Sequence, residues 1–130
     1  GKGAKPNRST DSLTPPSPTK SSGYPALSLA HACKGYGIEE LSVRQRSELL
    51  LKWAKRSQYS WSELTSHAKH GLGWEFLDRA RIRRVPPEHL EQDKYMVFRH
   101  EANLPIVGFR AGDVFIVLWA EARYGDVYNH

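Results

Sequence analysis

The chain has 130 residues, 39% of them hydrophobic, with one cysteine and a formal net charge of +5. That length suits one domain with one core, and the lone Cys33 excludes an internal disulfide framework or a cysteine-based zinc site. The apolar run "VFIVLWA" is a strand's length, far short of a bilayer span, and residues 1–23 show no secretory apolar region, so no leader is expected in this stretch.

Residues 1–23 are rich in Ser, Thr, Pro, Gly and Lys. They lack apolar periodicity and cannot bury enough surface to offset their chain entropy, so a disordered tail is expected. Lys2, Lys5, Arg8 and Lys20 against Asp11 give this tail a net +3, which leaves only +2 for the rest. Nucleic-acid binding would therefore depend on local clusters of cations. Residues 24–130 read as a single α+β domain.

"ALSLAHA" fits a short strand or a helical turn. "LSVRQRSELLLKWAKRS" is a helix, with Ser42 and Gln45 as a capping box. Val43, Leu49, Leu50, Trp53 and Ala54 supply its apolar stripe, and Glu48–Lys52 is an i,i+4 pair. A second helix opens at Ser60 with Glu63 completing another box. It carries Trp61, Leu64 and Ala68 at helical spacing, and Gly71 and Gly73 end it. The four-residue spacing predicts a helical hairpin. "GWEFLDRARIRRVPPEHL" reads as a connection, whose "RIRRV" portion suits an edge strand guarded by arginines. "KYMVFRH", "LPIVGFR" and "VFIVLWA" form a meander. The expected fold is α+β, a helical hairpin on a three- to four-stranded antiparallel sheet. Trp53, Trp61, Phe98, Val107, Ile116 and Leu118 are expected in one core.

Cations cluster three times. The first helix holds Arg44, Arg46, Lys52, Lys55 and Arg56. "RARIRR" holds Arg79, Arg81, Arg83 and Arg84, a density that serves either phosphate binding or edge protection. Arg99, Arg110 and Arg123 sit near the meander's strand ends. Glu63, His67 and His70 share a helix face, but a helix C-terminus explains the histidines and no metal site is expected. Cys33 has no evident partner, Glu75 and Glu121 stand as isolated carboxylates, and nothing calls for a cofactor. After the last strand, Arg123, Tyr124, Asp126, Tyr128 and His130 gather groups that can bind anions and move protons. Metal-free RNA cleavage by 2′-OH attack needs a base, an acid and cations for the phosphate.

"VGFRAGDVFIVLWAEARYGDVY", after a helix hairpin and a basic segment, resembles the last two strands of RelE-type toxins. The resemblance covers the final quarter of the chain and the element order. It implies a small α+β endoribonuclease acting on RNA, often ribosome-bound mRNA, and neutralised by an antitoxin partner. It makes Arg110, Arg123 and Tyr128 the catalytic candidates, with His130 or Arg99 nearby. Gly125 permits the fold-back of "EARYGDVYNH" that this grouping needs. The alternatives are a non-catalytic nucleic-acid-binding module using "RARIRR" and the first helix, with Arg99, or a protein-interaction domain of prophage type. No membrane partner is expected, and the single cysteine fits a cytoplasmic location. The missing initiator Met and the Ser/Pro linker also suit a toxin domain ending a longer delivered protein.

Overall fold

The computed structural model describes residues 23–66 and 73–130. The expected disordered tail, Gly23 apart, lies outside the described residues, as do His67, Ala68, His70 and Gly71. The chain is α+β. Strand β1 (Ala26–Ser28) is followed by helices α1 (Val43–Arg56) and α2 (Trp61–Ser66), then β2 (Trp74–Asp78), β3 (Lys94–Arg99), β4 (Pro105–Ala111) and β5 (Val114–Ala120). The sheet runs β1-β5-β4-β3-β2.

The meander forms β3 to β5 as expected. The sheet gains one strand at each edge. "ALSLAHA" supplies β1, which pairs parallel to β5. "GWEFLD", read as connection, is antiparallel edge strand β2. "RIRRV" is not a strand. Arg79–Arg81 form a 3-10 turn, and Ile82 makes a lone antiparallel bridge to Tyr128.

Both capping boxes form. Ser42 Oγ accepts from the Gln45 amide while Gln45 Oε1 accepts from the Ser42 amide, and Ser60 and Glu63 repeat the exchange. Each satisfies donors that the first helical turn leaves unpaired. The apolar stripe of α1 divides. Leu49 and Trp53 are buried, whereas Val43 and Leu50 face solvent. Lys52 bonds the His100 carbonyl rather than pairing with Glu48.

Two cores flank the sheet instead of one. The helix-side core joins Leu49, Trp53, Trp61 and Leu64 to Met96, Phe98, Ile106 and Phe115. Phe98 is its centre, edge-on to Trp53 at 5.3 Å and to Phe115 at 5.0 Å. The opposite core contains Leu77, Ile82, Tyr95, Val97, Val107, Leu118, Trp119, Val127 and Tyr128. Neither α1 nor α2 covers it; among the described residues it is closed by the segments around Cys33–Tyr36, Ile82–Leu90 and Val127–Tyr128. Ile116 is half-buried and belongs to neither core.

The β4–β5 turn is the two-residue Gly112–Asp113, because Ala111 pairs with Val114 and Arg110 with Phe115. A register shift at Val107/Gly108 leaves Leu118 as an extra residue on β5. Leu118 and Trp119 can therefore both serve the same core. Gly108 is obligatory at this bulge: a Cβ there would lie 1.8 Å from the Ile116 carbonyl oxygen.

Candidate nucleic-acid interface

The chain after β5 folds back, with Ala122 against the helix-side core and Val127 and Tyr128 buried in the opposite one. Gly125, at φ +85°, makes the turn that residues with a Cβ resist. Glu121 holds this turn and the segment beyond it. Its side chain is wholly buried, its Oε2 accepts the Val127 amide at 2.7 Å, and its Oε1 accepts the Gly125 amide at 3.1 Å. His130 Nε2 lies 3.0 Å from the same Oε1. A carboxylate oxygen that takes amide bonds accepts here too, with His130 Nε2 as the donor. The sequence leaves Glu121 isolated; the fold gives it three donors.

Three rings stack here. The His130 ring lies 4.1 Å from that of Tyr128 and 3.8 Å from that of Tyr124. Two rings at such distances cannot occupy one side of an imidazole, so His130 is sandwiched. Tyr128 forms the buried end of the stack and Tyr124, 60% exposed, the open end. The Tyr128 hydroxyl accepts from Arg99 at 2.8 Å, and Arg99 pairs with Glu75 at 2.5 Å. Burial raises the Tyr128 phenol's pKa, and the bond from Arg99 opposes that shift. Glu75 is thus no isolated carboxylate either.

The "RARIRR" segment clasps this terminus. The Arg83 amide bonds the Val127 carbonyl at 2.8 Å, and its guanidinium bonds the Gly125 carbonyl at 3.1 Å. Arg81 bonds the Asn129 carbonyl at 3.1 Å and stands 5.8 Å over the Tyr128 ring. Arg84 makes two bonds to Asp126, one to its carboxylate at 2.9 Å. Arg79 pairs with Glu91 at 3.3 Å. Carbonyl contacts leave positive charge uncompensated, whereas carboxylate pairs neutralise it. Arg81 and Arg83, together with exposed Arg123, have no carboxylate partner among the described residues.

The other expected site residues lie elsewhere. Arg99 opposes Pro105 at one end of β4, whereas Arg110 is five residues along that strand, roughly 17 Å at the usual rise. Arg110 stands 4.4 Å over the Trp61 ring on the helix side and bonds the Gly112 carbonyl. It does not meet Tyr128, because β4 holds the two ends of the hairpin apart. Arg56 does not reach the surface at all. It is 1% exposed, packed 4.8 Å over Phe98, and bonds the Arg99 carbonyl at 2.6 Å. Burial lowers its pKa to about 10. Lys55 is exposed on α1. Cys33 is a free, half-buried thiol whose pKa burial raises, which disfavours the nucleophilic thiolate.

His100 escaped sequence reasoning, which has no signal for it. It is buried, and its Nε2 donates to the Glu121 carbonyl at 2.9 Å. Its Nδ1 has no partner among the described residues, and burial lowers its pKa. Among the described residues no group of three His, Cys, Asp or Glu is placed to hold a metal. No described helix is long and apolar enough to cross a membrane.

No family model, curated protein or solved structure matches the chain.

Proposed function

We propose that the chain binds single-stranded RNA through its C-terminal fold-back. One observation carries this reading: an exposed Tyr124 ends a three-ring stack in a fold-back that carries Arg123 and is clasped by Arg81 and Arg83, none of the three with a carboxylate partner among the described residues. A base stacks on an aromatic face, and phosphates settle on neighbouring guanidiniums. The buried end of the stack, anchored by Arg99 and Glu121, stiffens the platform so that little ordering is left for binding. The test is anisotropy titration of a labelled oligouridine. Tyr124→Ala is expected to weaken binding about tenfold. Three phosphate contacts imply a log–log salt slope of about −2. Wild-type affinity in Tyr124→Ala, with no salt dependence, overturns the reading.

A second reading adds cleavage, favoured by the His130–Glu121 pair beside Tyr128. A histidine held by a buried carboxylate is poised for proton transfer to or from a bound 2′-OH. On this reading the RelE-type resemblance extends to ribosome-bound mRNA as substrate and to an antitoxin partner. The separation of Arg110 from Tyr128 makes binding the first reading and cleavage the second. Incubation with labelled RNA in EDTA separates them. Cleavage predicts products ending in 2′,3′-cyclic phosphate, lost in His130→Phe, which keeps a ring between the two tyrosines, while binding persists. Intact RNA after prolonged incubation leaves a binding module alone.

A further inference from the structure

Helix α1 is apolar on two sides. One side sends Leu49 and Trp53 into the core. The other exposes Val43 (76%), Leu50 (62%) and Leu51 (57%), with Ala54 also exposed. At 100° per residue, Val43, Ser47, Leu50, Leu51 and Ala54 fall on one continuous outward stripe. A helix that packs by one face ordinarily keeps its other face polar, so three aliphatic side chains aligned in solvent are unusual. Cations line both margins: Arg44 and Lys55 on one side, Arg46 on the other. Lys55 and Arg46 have no carboxylate partner among the described residues, and Arg44 meets Glu101 only at 3.7 Å with its side chain 81% exposed.

We infer that this stripe docks an acidic amphipathic helix of a partner protein. Charge selects the occupant. A second copy of α1 would bring Arg44, Arg46 and Lys55 against their own equivalents, with Glu48 the sole acid along the helix. Residues 1–22 of the same chain are themselves basic and offer Leu13 as their only large aliphatic side chain. A partner helix with leucines at i, i+3/i+4 and i+7 would seat them along the stripe, and flanking glutamates would meet the three cations. The N-terminal end of α1 touches the start of the fold-back, where Gln45 Nε2 donates to the Ala122 carbonyl at 3.1 Å, whereas Leu50, Leu51 and Lys55 lie further along the helix.

The test uses the full chain and two synthetic amphipathic peptides, each about 18 residues or five turns of helix. Both carry Leu on one face; one carries Glu on the other and the second carries Lys. Anisotropy is expected to show binding of the Glu peptide and at least about tenfold weaker binding of the Lys peptide. The charge-neutral double variant Leu50→Ser/Leu51→Ser is expected to lose at least about thirtyfold in affinity for the Glu peptide. Its thermal melt should match wild type, because both side chains lie in solvent. Amide shifts on adding the Glu peptide should centre on Val43, Leu50 and Leu51. Equal affinity for both peptides, or undiminished binding by the double variant, overturns the inference. So does self-association of the chain alone that the double variant abolishes, or binding to phosphatidylglycerol vesicles that the variant abolishes while the Glu peptide fails to bind.

Discussion

The two faces of the sheet are closed by different means. Over Phe98, Ile106 and Phe115, two capped helices lay down Leu49, Trp53, Trp61 and Leu64. Over Val97, Val107 and Trp119, irregular chain is tied down by a buried carboxylate and by arginines bonded to main-chain carbonyls. Helices satisfy their own backbone groups and need only an apolar stripe to cover a sheet. Irregular segments cannot, so each buried amide needs a named acceptor and each buried carbonyl a named donor. Glu121 and the "RARIRR" arginines meet that need. The same requirement brings charge and aromatic rings together on one side of the molecule, which is where a site can be built. On the helix-covered side Arg56 is buried over Phe98 and Arg110 stands over Trp61, while Arg44, Arg46 and Lys55 line the outer surface of α1.

The contrast between the faces breaks most visibly at Phe98. Phe98→Ala should cost about 3–5 kcal/mol in denaturant unfolding, since it empties the junction of Trp53, Trp61 and Phe115. A cost under about 1 kcal/mol would mean the helices do not close this face. On the other face, Glu121→Ala should cost about 2–4 kcal/mol by stranding the Gly125 and Val127 amides. Its signature is local: amide exchange should quicken at Val127 while β3 to β5 stay protected. Uniform loss of protection would show that the fold-back and the sheet are one cooperative unit.

Acid sharpens the contrast further. His100 is held neutral by burial, so its folded pKa lies below the ordinary 6.5. The unfolded chain then takes up the proton first, and stability falls as pH drops through 6.5 toward the folded pKa. The slope is at most about 1.4 kcal/mol per pH unit for one proton. His100→Gln keeps a donor toward the Glu121 carbonyl and should flatten this dependence in urea titrations at pH 7 and pH 5. An unchanged pH dependence would assign it to other groups. The smallest effect is at a cap. Ser60→Ala should cost about 1 kcal/mol, read as a lowered melting temperature, because Ser60 Oγ accepts the Glu63 amide at 3.2 Å.

What could be read from the chain alone was whatever depends on neighbours in sequence. The capping boxes at Ser42 and Ser60 close over three residues. The meander announces itself through runs of Val, Ile and Phe, and Gly125 marks the fold-back turn. The α+β class follows from those elements and their order. Edge strands β1 and β2 were harder: three and five residues carry too short a pattern to separate strand from connection.

Tertiary structure decided everything that joins distant residues. It sent Leu50 outward and Arg56 inward although both lie on one apparently amphipathic helix, because only the packed sheet defines which side of α1 is inside. It split one expected core into two, through the pleat of β3 to β5 and the bulge at Gly108. It set Arg110 apart from Tyr128 and joined Glu75 to Arg99 across 24 positions, and Glu121 to His130 across 9. Local sequence determines backbone conformation through sterics and short hydrogen bonds. Which charges become neighbours depends on strand order and register, and these are settled only when the whole sheet assembles.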